Sequence, residues 1–189
     1  MKTTPKLFAT LLAVACPAFA YAAPQGGIGV DVGLASSTMT ASMTNGTSAS
    51  YQGTGLNYGL DFQIPVSEKI SINPMLMFSS EASNGAIKSA THISHDMFGF
   101  QFRYWSDNIF TGAHIGSYSE VLTSSSTTNN TTTSVSTYGN GLGYGLVAGW
   151  EPTDRNWFFM VQLDSAKIKY TDADVNMADM RMSVGYRWK

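Results

Sequence analysis

The sequence predicts an all-β chain: a closed antiparallel eight-stranded transmembrane β-barrel behind a cleavable signal peptide. Three observations carry that expectation. The final stretch is apolar on one parity (Met180, Met182, Val184, Tyr186, Trp188) and carries Arg181, Ser183, Gly185 and Arg187 on the other. Strand side chains alternate between faces, so such a strand suits a wall with lipid on one side and water on the other. Four segments, Gln25–Pro65, Lys69–Trp105, Ile109–Glu151 and Trp157–Trp188, each alternate near both ends and turn polar in the middle, as four hairpins would. Beyond the N-terminal run, no segment offers the roughly 18 consecutive apolar residues of a membrane helix, so a membrane-spanning chain must here be a barrel.

At the N-terminus, Lys2 and Lys6 precede an apolar run from Leu7 to Ala15 and small residues ending in Ala20-Tyr21-Ala22. That order marks residues 1–22 as a signal peptide cleaved before Ala23, with residues 23–189 forming the barrel. The single cysteine, Cys16, lies inside the leader, so the mature chain would have no thiol for a disulfide, a metal or catalysis. A lipid-modified Cys16 would need Ala13-Val14-Ala15 as its recognition box, which lacks the usual leucine. The 167 residues left after cleavage are one domain's length, and their nine basic against thirteen acidic side chains give a formal charge of −4. Nothing in that balance recruits nucleic acid.

In the first hairpin, Ile28, Val30, Val32 and Leu34 alternate with Gly29, Asp31 and Gly33. The chain returns with Leu56, Tyr58, Leu60, Phe62 and Ile64 against Asn57, Gly59, Asp61 and Gln63, and Asn45-Gly46 is the expected turn tip. The second hairpin sets Ile70, Ile72, Leu76 and Phe78 against Ser71, Asn73, Met75 and Met77, then Phe98, Phe100, Phe102 and Tyr104 against Gly99, Gln101 and Arg103, with Asn84-Gly85 at its tip. Pro74 cannot donate to a ladder, so a bulge or local break is expected there. The third places Thr111, Ala113 and Ile115 against Gly112, His114, Gly116 and Tyr118, and Leu142, Tyr144, Leu146, Ala148 and Trp150 against four glycines. Its Ser/Thr/Asn tract, Thr123 to Thr137, reads as a flexible hydrated loop. The fourth sets Trp157, Phe159, Val161 and Leu163 against Phe158, Met160, Gln162 and Asp164, before an acidic loop around Asp172 and Asp174 and the C-terminal strand.

Links between hairpins are short (Val66–Glu68, Ser106–Asn108, Pro152–Asn156), whereas the stretches within them are long and polar. Transmembrane barrels show this asymmetry, with short turns on the periplasmic side. Trp105, Trp150, Trp157 and Trp188 all fall near that rim, where amphipathic indoles favour a membrane interface. On these features, and on the ending Gly185-Tyr186-Arg187-Trp188, the chain resembles the small eight-stranded outer-membrane barrels: the opacity-type surface proteins and the transmembrane domain of OmpA-like proteins. The resemblance covers the mature chain. It implies residence in the outer membrane of a Gram-negative bacterium, contact with lipid and lipopolysaccharide, and recognition of the last strand by the barrel-assembly machinery. That class ends on an aromatic residue; here Lys189 follows Trp188.

The inward parity collects Asp31, Asp61, Gln101, Arg103, His114, Glu151, Gln162, Asp164, Arg181 and Arg187. Isolated charges in a narrow interior would cost several kcal/mol, so a luminal charge network of Asp31, Asp61, Arg103, His114, Glu151, Asp164, Arg181 and Arg187 is expected. Strands one and eight are neighbours in a closed barrel, so Asp31 could reach Arg181 or Arg187. Eight strands enclose a space only just wide enough for side chains, which favours a filled lumen over a conduit.

Thr91-His92-Ile93-Ser94-His95-Asp96 raises catalysis, because its His-x-Ser spacing resembles that of the outer-membrane lipid A deacylases. A serine triad needs histidine between nucleophile and acid, yet Ser94 lies between His92 and Asp96, which stand about 13 Å apart in a strand. Glu81 and Glu120 project inward by parity. The two histidines therefore read as solvated residues, with neither a catalytic nor a metal site, and no cofactor is expected. Lys167 and Lys169 continue the lipid-facing parity towards the loop end and, with Lys88, are candidate contacts for lipopolysaccharide phosphates. The expected function is that of a non-enzymatic, monomeric outer-membrane barrel with a structural or surface-interaction role. The alternatives are a narrow channel for small solutes and a lipid A-modifying hydrolase.

Overall fold

The computed structural model describes residues 24–43, 46–83, 90–128, 131–152 and 154–189. The expected leader, Asn45, the Asn84-Gly85 tip and Lys88 lie outside these residues. Eight strands follow in chain order: β1 (Gly27–Met43), β2 (Ser48–Ser67), β3 (Ile70–Ser83), β4 (Ala90–Ser106), β5 (Ile109–Thr128), β6 (Thr131–Trp150), β7 (Trp157–Lys169) and β8 (Ala173–Trp188). Each is antiparallel to the next, and β8 pairs with β1 to close the barrel.

The register fixes the stagger. Stepping across paired residues from Val30 through Leu60, Leu76, Phe98, Ser117, Leu142, Lys167 and Asn176 returns to β1 at Thr40, ten residues from the start. A shear of this size tilts the strands steeply, in the range of about 35–45° for closed barrels. Residues distant along the chain are thereby brought to one height in the lumen.

Alternation holds on every strand, and it is inverted relative to a water-soluble protein. The outer parity is apolar and exposed, as at Val32 (60%) and Leu142 (70%), whereas the inner parity buries Asp61, Gln101, Arg103, Arg181 and Arg187. A continuous apolar exterior of this extent marks a surface that meets lipid. The interior accepts most of this charge because strands on different sides of the lumen supply partners.

Two expectations change at the hairpins. The Ser/Thr tract is β-structure: β5 runs to Thr128 and β6 starts at Thr131, with pairs from Val121↔Tyr138 to Thr128↔Thr131. Hydroxyl contacts across the ladder, Thr123–Ser136 at 3.0 Å and Ser125–Ser134 at 2.8 Å, give these polar side chains cross-strand partners, and β-branched Thr suits a pleated surface. Pairing of β6 with β7 begins only at Asn140↔Lys169, so the outer part of this hairpin rises past its neighbour. The acidic loop between β7 and β8 shrinks to a tight turn closed by a 2.9 Å bond from the Tyr170 N–H to the Ala173 carbonyl, and Asp174 lies in β8. Gly46, with φ +83°, sits in the β1–β2 turn, where its N–H bonds the Met43 carbonyl at 3.0 Å.

Pro74 stays inside β3 and pairs with Phe100 of β4. Towards β2 the ladder lapses opposite Asn73 and Pro74, between Asp61↔Met75 and Ile64↔Ile72, as expected of a residue with no N–H to donate. The bulge itself lies further along this ladder, between Pro65 and Ser67, so β2 continues through residues expected to form the connection.

Candidate functional site: the charged interior

The interior is layered. Nearest the short turns, Asp61 of β2 receives two guanidiniums, Arg103 Nη2 of β4 and Arg187 Nη2 of β8, each at 3.1 Å. Asn73 Nδ2 donates to the same carboxylate at 2.8 Å. Arg187 Nε also donates to both oxygens of Glu151, at 3.0 and 3.1 Å. Arg103 is completed by Gln101 and, at 3.1 Å, by Gln63 Oε1. Aromatic rings insulate this layer: Arg103 lies over Phe110 at 4.4 Å and Arg187 over Phe158 at 5.1 Å.

Strand geometry brings these groups together. Gly29 lies between the paired residues Asp61 and Arg187, and a Cβ there would overlap the Asp61 carboxylate and come within 3.0 Å of Arg187 Nη1. Glycine clears the space in which β2 and β8 exchange charge across β1.

The middle layer centres on Arg181. Its Nε lies 2.5 Å from Asp179 and 3.5 Å from Asp164, and its Nη1 donates towards Met77 Sδ at 3.5 Å. His114 Nε2 lies 2.6 Å from the other oxygen of Asp164. Asp164 and Asp179 face each other in the β7–β8 register, so without Arg181 two buried carboxylates would abut.

The third layer was not foreseen from the sequence. His95 lies inside, 3.0 Å from Glu120 and 3.7 Å from Glu81, with all three side chains fully buried. Ser37 Oγ donates to Glu81 at 2.5 Å, and the Tyr170 hydroxyl donates to Glu120. Reading His95 as solvated is therefore wrong. The inward parity of Glu81 and Glu120 was itself the available signal, since two carboxylates facing one lumen need a donor.

All eight residues of the expected network are buried, but the pairing differs for one. Among the described residues Asp31 makes no ion pair; it takes a hydrogen bond from Ser183 and lies beside Gly59 and Gly185. With this stagger, Arg187 meets Asp61 and Glu151, while Arg181 meets Asp179 and Asp164. Among the described residues the buried set holds seven carboxylates (Asp31, Asp61, Glu81, Glu120, Glu151, Asp164, Asp179) against three guanidiniums and two imidazoles, so acids outnumber their partners.

Tryptophans divide between two places. Trp150, Trp157 and Trp188 are exposed on the outer wall at the short-turn end, and Trp150 and Trp157 meet edge-on with ring centroids 4.8 Å apart. Trp105 shares their height but points inward, buried against Phe110 with its indole N–H bonded to Ser71 Oγ at 3.0 Å. Its parity with Arg103 requires this orientation. Lys189 also finds partners: its Nζ donates to the carbonyls of Pro152 and Arg155, at 3.1 and 2.8 Å, fastening the C-terminus to the β6–β7 connection.

On the outer wall, His92 Nε2 lies 3.2 Å from Ser80 Oγ and 3.4 Å from Ser94 Oγ. Among the described residues no carboxylate reaches this imidazole at ion-pair distance, and Glu81 and Glu120 are on the far side of the wall. Lys167 Nζ pairs with Asp174 at 2.7 Å in the exposed β7–β8 ladder, and Lys169 is exposed beside it. Among the described residues there is no cluster of three or more ligating side chains suited to a metal.

Comparison with known proteins places this geometry. A family model described as "Outer membrane protein beta-barrel domain" matches residues 7–188. The structure of Ail, the attachment invasion locus protein of Yersinia pestis, aligns with a TM-score of 0.54 at 14% identity, covering 87% of this chain and all of that one. Ail in complex with the heparin analogue sucrose octasulfate gives the same score at 13% identity and the same coverage. Neisserial surface protein A aligns at 0.53 with 12% identity, covering 84% of this chain and 97% of that one. At these identities the likeness is one of fold. No curated protein sequence matches.

Proposed function

The chain belongs to the outer membrane protein β-barrel domain family, and from that premise we propose that it is a monomeric, non-enzymatic barrel that strengthens the outer membrane and presents a projecting β-hairpin at the cell surface. The observation that carries the structural part is the three-layer interior: side chains from β2, β3, β4, β5, β7 and β8 meet in the lumen and tie opposite walls together. A barrel cross-linked in this way resists deformation and leaves little room for solute flow. With the short turns on the periplasmic side, as in barrels generally, the β5–β6 hairpin points outward from the cell. Residues 1–22 are then the export signal, and β8 is the strand offered to the assembly machinery.

The surface part rests on that hairpin. From Val121 to Gly149 no residue is charged, and Val135 and Tyr138 are exposed among Ser and Thr. Such a strand contacts partners through backbone, hydroxyl and small apolar groups. The name of Ail describes attachment and invasion, and one of its structures holds a sulfated sugar. A surface-contact role is proposed for this chain on the same architecture, with Lys167 and Lys169 beside the base of the hairpin as contacts for lipopolysaccharide phosphates and Lys88, outside the described residues, as a third candidate.

A deletion strain complemented with either the whole barrel or a barrel lacking residues 125–134 tests both parts. A structural role predicts that both barrels restore exclusion of vancomycin. A surface role predicts that only the whole barrel restores attachment to heparin-coated beads. A strain whose permeability and attachment are both indifferent to the gene would contradict the proposal.

A further inference from the structure

At the loop end of the barrel, above the His95 layer, we infer a binding cup for one small, uncharged, largely apolar molecule. The cup has a volume of about 200 Å3 and is walled by Met39, Met43, Tyr51, Leu122, Tyr170 and Val175, with Thr137, Thr171 and Asp172 also in its lining. A dry apolar cavity of about 150 Å3 is already large enough to hold benzene, so one aromatic ring or a short alkyl chain sets the scale.

Its position makes this lining unusual. The outer wall of the barrel is apolar because it meets lipid, but the cup opens at the aqueous end, where apolar surface left to water costs about 25 cal/mol per Å2. Water-facing apolar concavities are characteristic of ligand sites. The lining has few polar groups to reward a charged guest: Tyr170, which forms part of the wall, commits its hydroxyl to Glu120, and Asp172 is exposed. A charged molecule would lose hydration without gaining an ionic partner in the wall, and an anion would meet the Asp172 carboxylate as well.

The base of the cup is adaptable. Met39 and Val175 belong both to the cup and to the buried cluster of Met77, Met97, Ile168 and Met177 beneath it. Unbranched thioether side chains reshape at little cost and favour aromatic neighbours, which suits a site selective for apolarity rather than for one outline. The charged layers close the lumen beyond, so the cup is a site of residence and does not depend on passage through the barrel. Leu122 and Thr137, paired at the foot of the β5–β6 hairpin, line it, but its proposed ligand does not require the surface role proposed for the hairpin's tip.

The test uses the full barrel in lipid nanodiscs with 13C-methyl methionine, titrated with 4-fluorophenol at neutral pH and, separately, with 4-fluorobenzoate. Met180 and Met182 on the lipid-facing wall act as internal reporters of probe dissolved in the bilayer. The expected result is a saturable shift of the Met39 and Met43 methyl resonances with the phenol, at least tenfold weaker with the benzoate. Filling the cup at Ala173, also in its lining, or at Leu122, with Ala173→Trp or Leu122→Trp, each checked for folding by its heat-dependent gel shift, should abolish the response. Shifts of Met39 and Met43 that merely follow Met180 and Met182 without saturating would overturn the inference. So would an equal response to the benzoate, or a response that survives in a folded Trp variant.

Discussion

Arg187 and Asp61 meet at 3.1 Å across the width of β1, and Arg103 approaches the same carboxylate at the same distance from β4. One acid therefore holds two cations drawn from different walls. Removing one member of a buried ion pair costs about 3–5 kcal/mol because the charge left behind is uncompensated. Asp61→Asn should lower the unfolding free energy by about 3 kcal/mol in urea titrations followed by tryptophan fluorescence. Asp31→Asn removes a carboxylate that has no ion pair and should change it by less than about 1 kcal/mol. Equal effects would mean that the stagger drawn here is wrong.

Gly149 permits a comparable prediction about packing. A Cβ at this position would overlap the buried Phe110 ring and approach the Phe159 carbonyl oxygen. Because Phe110 is pinned between Trp105 and Arg103, it has little room to yield. Gly149→Ala should cost about 1–3 kcal/mol by overpacking, read in the same urea titration. A neutral outcome would show that the ring is free to move.

Much of this arrangement was legible in the sequence, because a strand has a period of two and lipid enforces it. Ile28 to Leu34 and Met180 to Trp188 needed no partner to declare which side faces outward. Stagger is a property of eight strands together, and no single strand encodes it. For that reason Asp31 could be placed in the lumen but not assigned its neighbour. His95 reads as solvated in the sequence because its polar neighbourhood, Thr91 to Asp96, alternates between an aqueous outer rim and the interior. The Ser/Thr tract reads as a loop on its polarity alone, although cross-strand hydroxyl pairs and β-branching favour a ladder there.

That tract gives a third prediction. In the ladder that pairs residues 123–128 with 131–136, the cross-strand amides should exchange with deuterium more slowly than those of Thr171 and Asp172 in the adjacent turn. Val135→Pro, which removes a ladder position, should accelerate exchange locally while leaving the heat-dependent gel shift intact. Uniformly fast exchange across the tract in the unaltered protein would favour a flexible loop.

Lys189 contacts two carbonyls of the β6–β7 connection, and its removal tests whether the terminal residue acts in assembly or only in anchoring. Deleting it should leave folding yield in vivo unchanged and lower stability by no more than about 1 kcal/mol, the scale of a partly exposed polar contact. A large loss of membrane-inserted protein would instead place Lys189 in recognition by the assembly machinery.

Three charged layers fill the lumen, and planar-bilayer recording of the purified, folded barrel tests this at once. The unaltered protein should pass no steady open-channel current, and conductance should appear when the crossing network is cut, as in Arg103→Ala/Arg187→Ala. Sustained single-channel conductance from the unaltered barrel would contradict a filled lumen.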